Sequence, residues 1–150
     1  MRRFRHPLIA LALLGCLNVT GVAQCISRTL SVSRVQGAVF DQMGRPIPDV
    51  DVSLKRESRV VEGVETDGSG RFSIRSSPGA YDLYVNARNF VSGDTRIEVG
   101  NDLIGVLRPT KLWVILQVGM LSENCGPFVT TSRRQFENAT KHDPRPTDHN

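Results

Sequence analysis

The chain has 150 residues, of which 39% are apolar, with 13 glycines and 8 prolines; this allows one domain of ordinary size and excludes both a second substantial core and disorder throughout. Its formal net charge of +4 is uneven: Arg2, Arg3 and Arg5 lie in a leader without acids, and without them 16 of the 19 basic residues remain against 15 acidic ones, a net of +1. Nucleic-acid binding needs clustered cations that displace counterions, so the balanced body excludes that class of partner.

In chain order, residues 1–23 read as a secretory signal peptide, with a charged start, an apolar run from Pro7 to Leu14, and small residues at Gly21 and Ala23 that set a cut before Gln24. Gly15, Asn18 and Thr20 break the stretch beyond that run, which is too short for a spanning helix of about 20 apolar residues. No transmembrane helix is therefore expected in the mature chain. A rival cut lies at Leu13-Leu14-Gly15-Cys16, which resembles the bacterial lipoprotein box and would make Cys16 a lipid anchor; Leu14 and the apolar continuation to Ala23 depart from that pattern.

Residues 24–33 form a lead-in. Cys25 within it and Cys125 beyond the body flank one domain in a compartment where disulfides persist, and they are the candidate disulfide. Closing a loop of that length would stabilise by about 4–5 kcal/mol in the chain-entropy account. A structural zinc site needs four ligands, and His142 and His149 lie in a polar tail, so no metal and no other cofactor is expected.

From Val35 onward apolar residues recur with period two, as in half-buried strands. Seven strands are predicted: Val35 to Phe40, Val50 to Leu54, Val60 to Thr66, Phe72 to Ile74, Tyr81 to Ala87, Thr95 to Val99 and Leu112 to Val118. Turn residues separate them: Gly44-Arg45-Pro46-Ile47-Pro48, Asp67-Gly68-Ser69-Gly70 and Ser76-Ser77-Pro78-Gly79. Asp67 and Gly70 are structural turn residues, the carboxylate bonding its own turn and the glycine relieving the return into Phe72. Asp67 with Ser69 and Asp41 also offers oxygens to calcium, but too few for an ion that takes six to eight.

No stretch of the body has a 3.6-residue period with caps, so the crossover helices of a parallel sheet are missing. The expected fold is all-β, a seven-stranded antiparallel sandwich of immunoglobulin-like or transthyretin-like form. Leu112 to Leu116 is apolar without alternation, which fits a central strand covered on both faces. Trp113, the single tryptophan, is the candidate ligand contact as a stacking platform for sugars, set against the plainer role of packing. Thr130 to Asn150, poor in aliphatic residues, reads as a flexible polar tail.

Four blocks in order carry a resemblance: Val35-x-Gly37-x-Val39-x-Asp41; Gly44-Arg45-Pro46-Ile47-Pro48-x-Val50-x-Val52-x-Leu54; Thr66-Asp67-x-x-Gly70-x-Phe72-x-Ile74; and Gly79-x-Tyr81-x-Leu83-x-Val85. This pattern resembles the carboxypeptidase regulatory-like domains, transthyretin-like (prealbumin-like) β-sandwiches common in exported bacterial proteins. The resemblance covers residues 34–99 in detail and extends to 118 by strand count. It implies a fold and no reaction: in metallocarboxypeptidases the module accompanies a separate catalytic domain, whose zinc-binding motif has no counterpart here. Transthyretin-like hydrolases of ureide metabolism use histidines and arginines within the sandwich and a characteristic C-terminal tetrapeptide, and the mature sandwich here has no histidine. Tyr81 is expected to bury its ring and send its hydroxyl to a backbone partner, as in tyrosine corners.

The expected organisation is a signal peptide over 1–23, the lead-in over 24–33, the sandwich over 34–118, an extension with Cys125 over 119–129 and the tail over 130–150. The expected protein is not an enzyme; it is a periplasmic or secreted module with a structural or binding role in the cell envelope, or a lipid-anchored one in the outer membrane. Its partner is an envelope protein or a carbohydrate. The alternatives are a carbohydrate- or peptide-binding accessory protein, and a hydrolase of the transthyretin-like class, which the absence of a base disfavours.

Overall fold

Alternation turns two neighbouring strands the same way. In β3 (Asp51–Arg56) Val52 and Leu54 are buried, and in β6 (Gly79–Asn86) Tyr81, Leu83 and Val85 are buried, with Val52 opposite Val85 and Leu54 opposite Leu83. The computed structural model describes residues 28–101, 110–118 and 126–141, and within them the chain forms nine strands in two sheets. The first sheet has the order β1 (Leu30–Val32), β7 (Gly93–Val99), β6, β3, β4 (Arg59–Glu65). The second has the order β5 (Arg71–Ile74), β2 (Val35–Phe40), β8 (Leu112–Ile115), β9 (Phe128–Thr130).

Leu54, Leu83, Ile97, Val35, Val39, Leu112 and Val114 belong to one core, all but sealed from solvent. Each such side chain contributes roughly 1.5–3 kcal/mol on burial, against about 0.2–1 kcal/mol for a cross-strand pair. The core, more than the ladders, therefore decides which face of each strand turns inward. The fold is an all-β sandwich.

Two features correct the sequence reading of seven antiparallel strands. β1 and β9 are additional, each three residues long and too short to show alternation, so the sandwich draws in chain on both sides of the 34–118 span. The sheets are also mixed: β1 pairs parallel with β7, and β2 parallel with β8. Parallel pairing does not require a crossover helix here, because the chain between the partners passes through strands of the opposite sheet. In β4, an edge strand, Val60 and Val61 are exposed, and inward alternation reaches only Val64; a register shift at Leu54/Lys55 interrupts the ladder before Val60.

The segment read as a flexible tail also differs. Arg133–Thr140 is a helix, α1, with Ser132 as its N-cap accepting a hydrogen bond from the Gln135 amide. It packs on β8 and β9 through Phe136. Eight residues with one large apolar side chain carry no visible period, which is why composition alone pointed to a tail. No helix among the described residues is long and apolar enough to cross a membrane. The leader, Cys16, Cys25 and Cys125 lie outside the described residues.

Candidate functional site

On the outer face of the second sheet the register sets Arg71 opposite Ala38, Ala38 opposite Trp113, and Trp113 opposite Thr130. Trp113 is half-buried in this row. Phe136 of α1 stacks on it with centroids 4.6 Å apart and planes 30° apart, and Phe40 of β2 stacks at 5.6 Å and 21°. The Lys111 ammonium lies over the same ring, 4.2 Å from its centroid. Phe40 and Phe136 also meet each other at 4.7 Å, so the aromatic neighbours of Trp113 form a cluster closed on itself. Its ring serves packing, and the polar group it presents outward is Lys111.

Beside this cluster, at the free edge of β5, a groove of about 540 Å³ has a polar lining of Gln36, Glu65, Asp67, Arg71, Ser73 and Lys111, with Phe72 among the apolar contributors. Lys111 titrates below its usual range, chiefly because partial burial disfavours the ammonium and further because Arg71 and Arg133 repel it. Asp67 titrates below the ordinary carboxylate value. The main causes are hydrogen bonds from the Arg71 and Ser69 amides, at 2.9 and 2.8 Å to Oδ1, and the Arg71 charge adds to them. The groove thus holds fixed polar groups of both signs, fit to orient a polar ligand by hydrogen bonds.

The turn residues named from sequence occupy one connection. Gly70 has φ +70°, and a Cβ there would lie 2.7 Å from the Val39 carbonyl oxygen. Gly37 admits a neighbour for another reason: a Cβ would run into the Leu112 carbonyl oxygen and come within 2.9 Å of Phe72 Cζ. Tyr81 is buried and its hydroxyl donates to the Ser77 carbonyl at 2.8 Å. Asp41 is engaged in its own loop, accepting from the Met43 and Arg45 amides and from Arg45 Nε.

Sequence reasoning missed Thr66. It is a buried hydroxyl that accepts from the Val50 amide and donates to the Ile47 carbonyl, both at 2.9 Å, and so pins the Pro46–Pro48 loop to the end of β4. A threonine closing an alternating run gave no signal for this. It also missed Lys111, whose position beside Trp113 was the available cue.

Chemically, the groove offers hydrogen-bonding and charged groups to a polar ligand. Residues 26–124 contain neither histidine nor cysteine, and among the described residues no three His, Cys, Asp or Glu side chains gather as a metal site would need. Asp67 is held as an anion with Oδ1 already bonded, which makes it a poor base.

Comparisons with known proteins give a family match and structural matches. The model of the carboxypeptidase regulatory-like domain matches residues 34–105. Among solved structures, Klebsiella pneumoniae 5-hydroxyisourate hydrolase is similar at 20% identity and a TM-score of 0.47, over 65% of this chain and 96% of that one. No curated protein matches the chain.

Proposed function

Taking residues 34–105 as a carboxypeptidase regulatory-like domain, we propose that the chain is an exported, non-catalytic β-sandwich module with a structural or binding role in the cell envelope. One observation carries the reading. The residues that carry the resemblance, Gly37, Asp67, Gly70 and Tyr81, each hold a backbone or a turn. The leader over 1–23 supports export, and an envelope protein or carbohydrate is the class of partner such a module would meet. The mature chain then starts at Gln24, with Cys25 and Cys125 paired.

A second reading has its own support. The groove of Gln36, Arg71, Ser73 and Lys111 beside Trp113 favours a carbohydrate- or peptide-binding accessory protein, with hydrogen bonds in place of a stacking platform.

The intact mass of the protein from its native host, with the fraction that holds it, tests the proposal. A start at Gln24 in a soluble exported fraction is the expected result. A lipidated Cys16 in membranes keeps the module in the envelope and turns the search to neighbouring surface proteins. An uncut chain inside the cell overturns export.

A further inference from the structure

Most cations of the described surface that meet a carboxylate do so in simple pairs: Arg45 with Asp41, Lys55 with Asp94, Arg96 with Asp82 and Arg133 with Glu137. Arg56, Arg59 and Arg75 have no such partner among the described residues, and they gather at one end of the sandwich. The hairpin between β3 and β4 sets Arg56 directly opposite Arg59, where like charges repel. Arg75 follows the last residue of β5, so it arrives from the other sheet.

Arg56 is not a loose surface side chain. Its guanidinium lies over the Tyr81 ring, 4.5 Å from the centroid, and passes so near Gly79 that a Cβ there would be 3.1 Å from Nη2. Tyr81 is itself anchored to the Ser77 carbonyl. Between Arg56 and Arg75 lies a pocket of about 270 Å³ whose polar lining includes Glu62, Ser76 and Ser77. Two arginines and one glutamate line it, which leaves one positive charge unmatched, and among the described residues neither arginine forms an ion pair with Glu62.

We propose that this end of the sandwich binds an oxyanion group, phosphate or carboxylate, between Arg56 and Arg75, with the Ser76 and Ser77 hydroxyls as further donors. A guanidinium presents paired donors that match two oxygens of such a group, and stacking on Tyr81 fixes one fork before the ligand arrives. The bound anion also offsets the repulsion between Arg56 and Arg59. The proposal adds a ligand class to the non-catalytic reading, and its failure leaves that reading standing, since the intact-mass experiment tests export separately.

The test titrates the full chain with inorganic phosphate and, separately, with acetate, at an ionic strength held constant with sodium chloride, while amide and guanidinium NMR resonances are followed. Saturable shifts at Ser76, Ser77, Arg56 and Arg75 are expected. Saturation by phosphate alone identifies a phosphate-bearing ligand, by acetate alone a carboxylate, and by both a site for either. Arg75→Gln weakens binding by about ten-fold or more, Arg75→Lys recovers part of it, and Arg96→Gln, whose guanidinium is held by Asp82, changes nothing. Arg75 is exposed beyond the strand end, so its replacement keeps the test open should Arg56→Gln fail to fold. Shifts that stay linear with both anions, or binding of equal strength in Arg75→Gln, overturn the proposal.

Discussion

Phe136 in α1 and Trp113 in β8 stack at 4.6 Å across the outer face of the second sheet, and this pair ties the C-terminal helix to the sandwich. Ile115, on the same outward side of β8, is only 3% exposed. The unbroken apolar run Leu112 to Leu116 is thereby explained: one side meets the inter-sheet core and the other meets the helix and its aromatic cluster.

Phe136→Ala should release the helix. An isolated segment of eight residues is unstable in water, and the lost ring contacts are worth about 0.5–1.5 kcal/mol beyond area burial. The expected result is loss of helical signal in circular dichroism, a red shift in Trp113 emission and greater quenching by iodide, with the β-sheet signal retained. Unchanged emission would mean that Phe136 does not shield the indole.

Asp67 links the 67–71 turn to pH. Its folded pKa lies below the ordinary 3.8, so the stability it contributes is present above 3.8 and is lost as pH falls through the folded value. Asp67→Ala is therefore expected to be less stable than the parent at neutral pH, with the gap narrowing below pH 3.8. Urea unfolding at the two pH values measures this, and a gap independent of pH would contradict it.

Gly37 lies where two neighbouring strands leave no room. Gly37→Ala should cost about 1–3 kcal/mol in urea unfolding through overpacking against Leu112 and Phe72. Gly68 is the matched control, since a Cβ there would meet nothing within 4 Å, and Gly68→Ala should stay within about 0.5 kcal/mol of the parent.

The β3–β4 turn places Glu57 and Ser58 at φ 51° and 65°, a conformation that side chains resist. The double change Glu57→Asn with Ser58→Gly supplies residues suited to a two-residue hairpin. It should raise stability by about 1 kcal/mol, read as a higher urea midpoint with unchanged slope.

The cysteine pair is open to direct counting. Exported material alkylated without reductant should show no modification at Cys25 or Cys125 and two after reduction; two labels before reduction would exclude the disulfide.

The seven predicted strands are all present, and period two is most direct where a strand buries one face; β4, largely exposed, and β8, covered on both sides, depart from it. Val52 and Leu54 opposite Val85 and Leu83 are the clearest example. What stayed hidden depended on partners distant in sequence. Leu30–Val32 is a strand because β7 offers a free edge, and its three residues contain no pattern of their own. Phe136 is one aromatic in a polar stretch, and only the register that brings Trp113 to the outer face gives it a function. The Asp67 turn was legible because its bonds reach two and four residues away. The arginine pocket was not, because Arg56 and Arg75 come to one pocket from different sheets and look evenly scattered along the chain.

The parallel pairing of β2 with β8 sets an order of events on the chain. β3, β4, β6 and β7 are antiparallel neighbours joined by ladders in the first sheet, and they can zip together from contacts close in sequence. β2 emerges earlier, yet one of its flanks is unclosed until Leu112–Ile115 arrives more than seventy positions later. Pairings between such distant segments are slow to form, so β8 should join late, followed by β9 and the helix that pack on it, with the Val35–Phe40 edge open to a carrier or a wrong partner until then. A chain stopped before Leu112 would leave that edge without its partner.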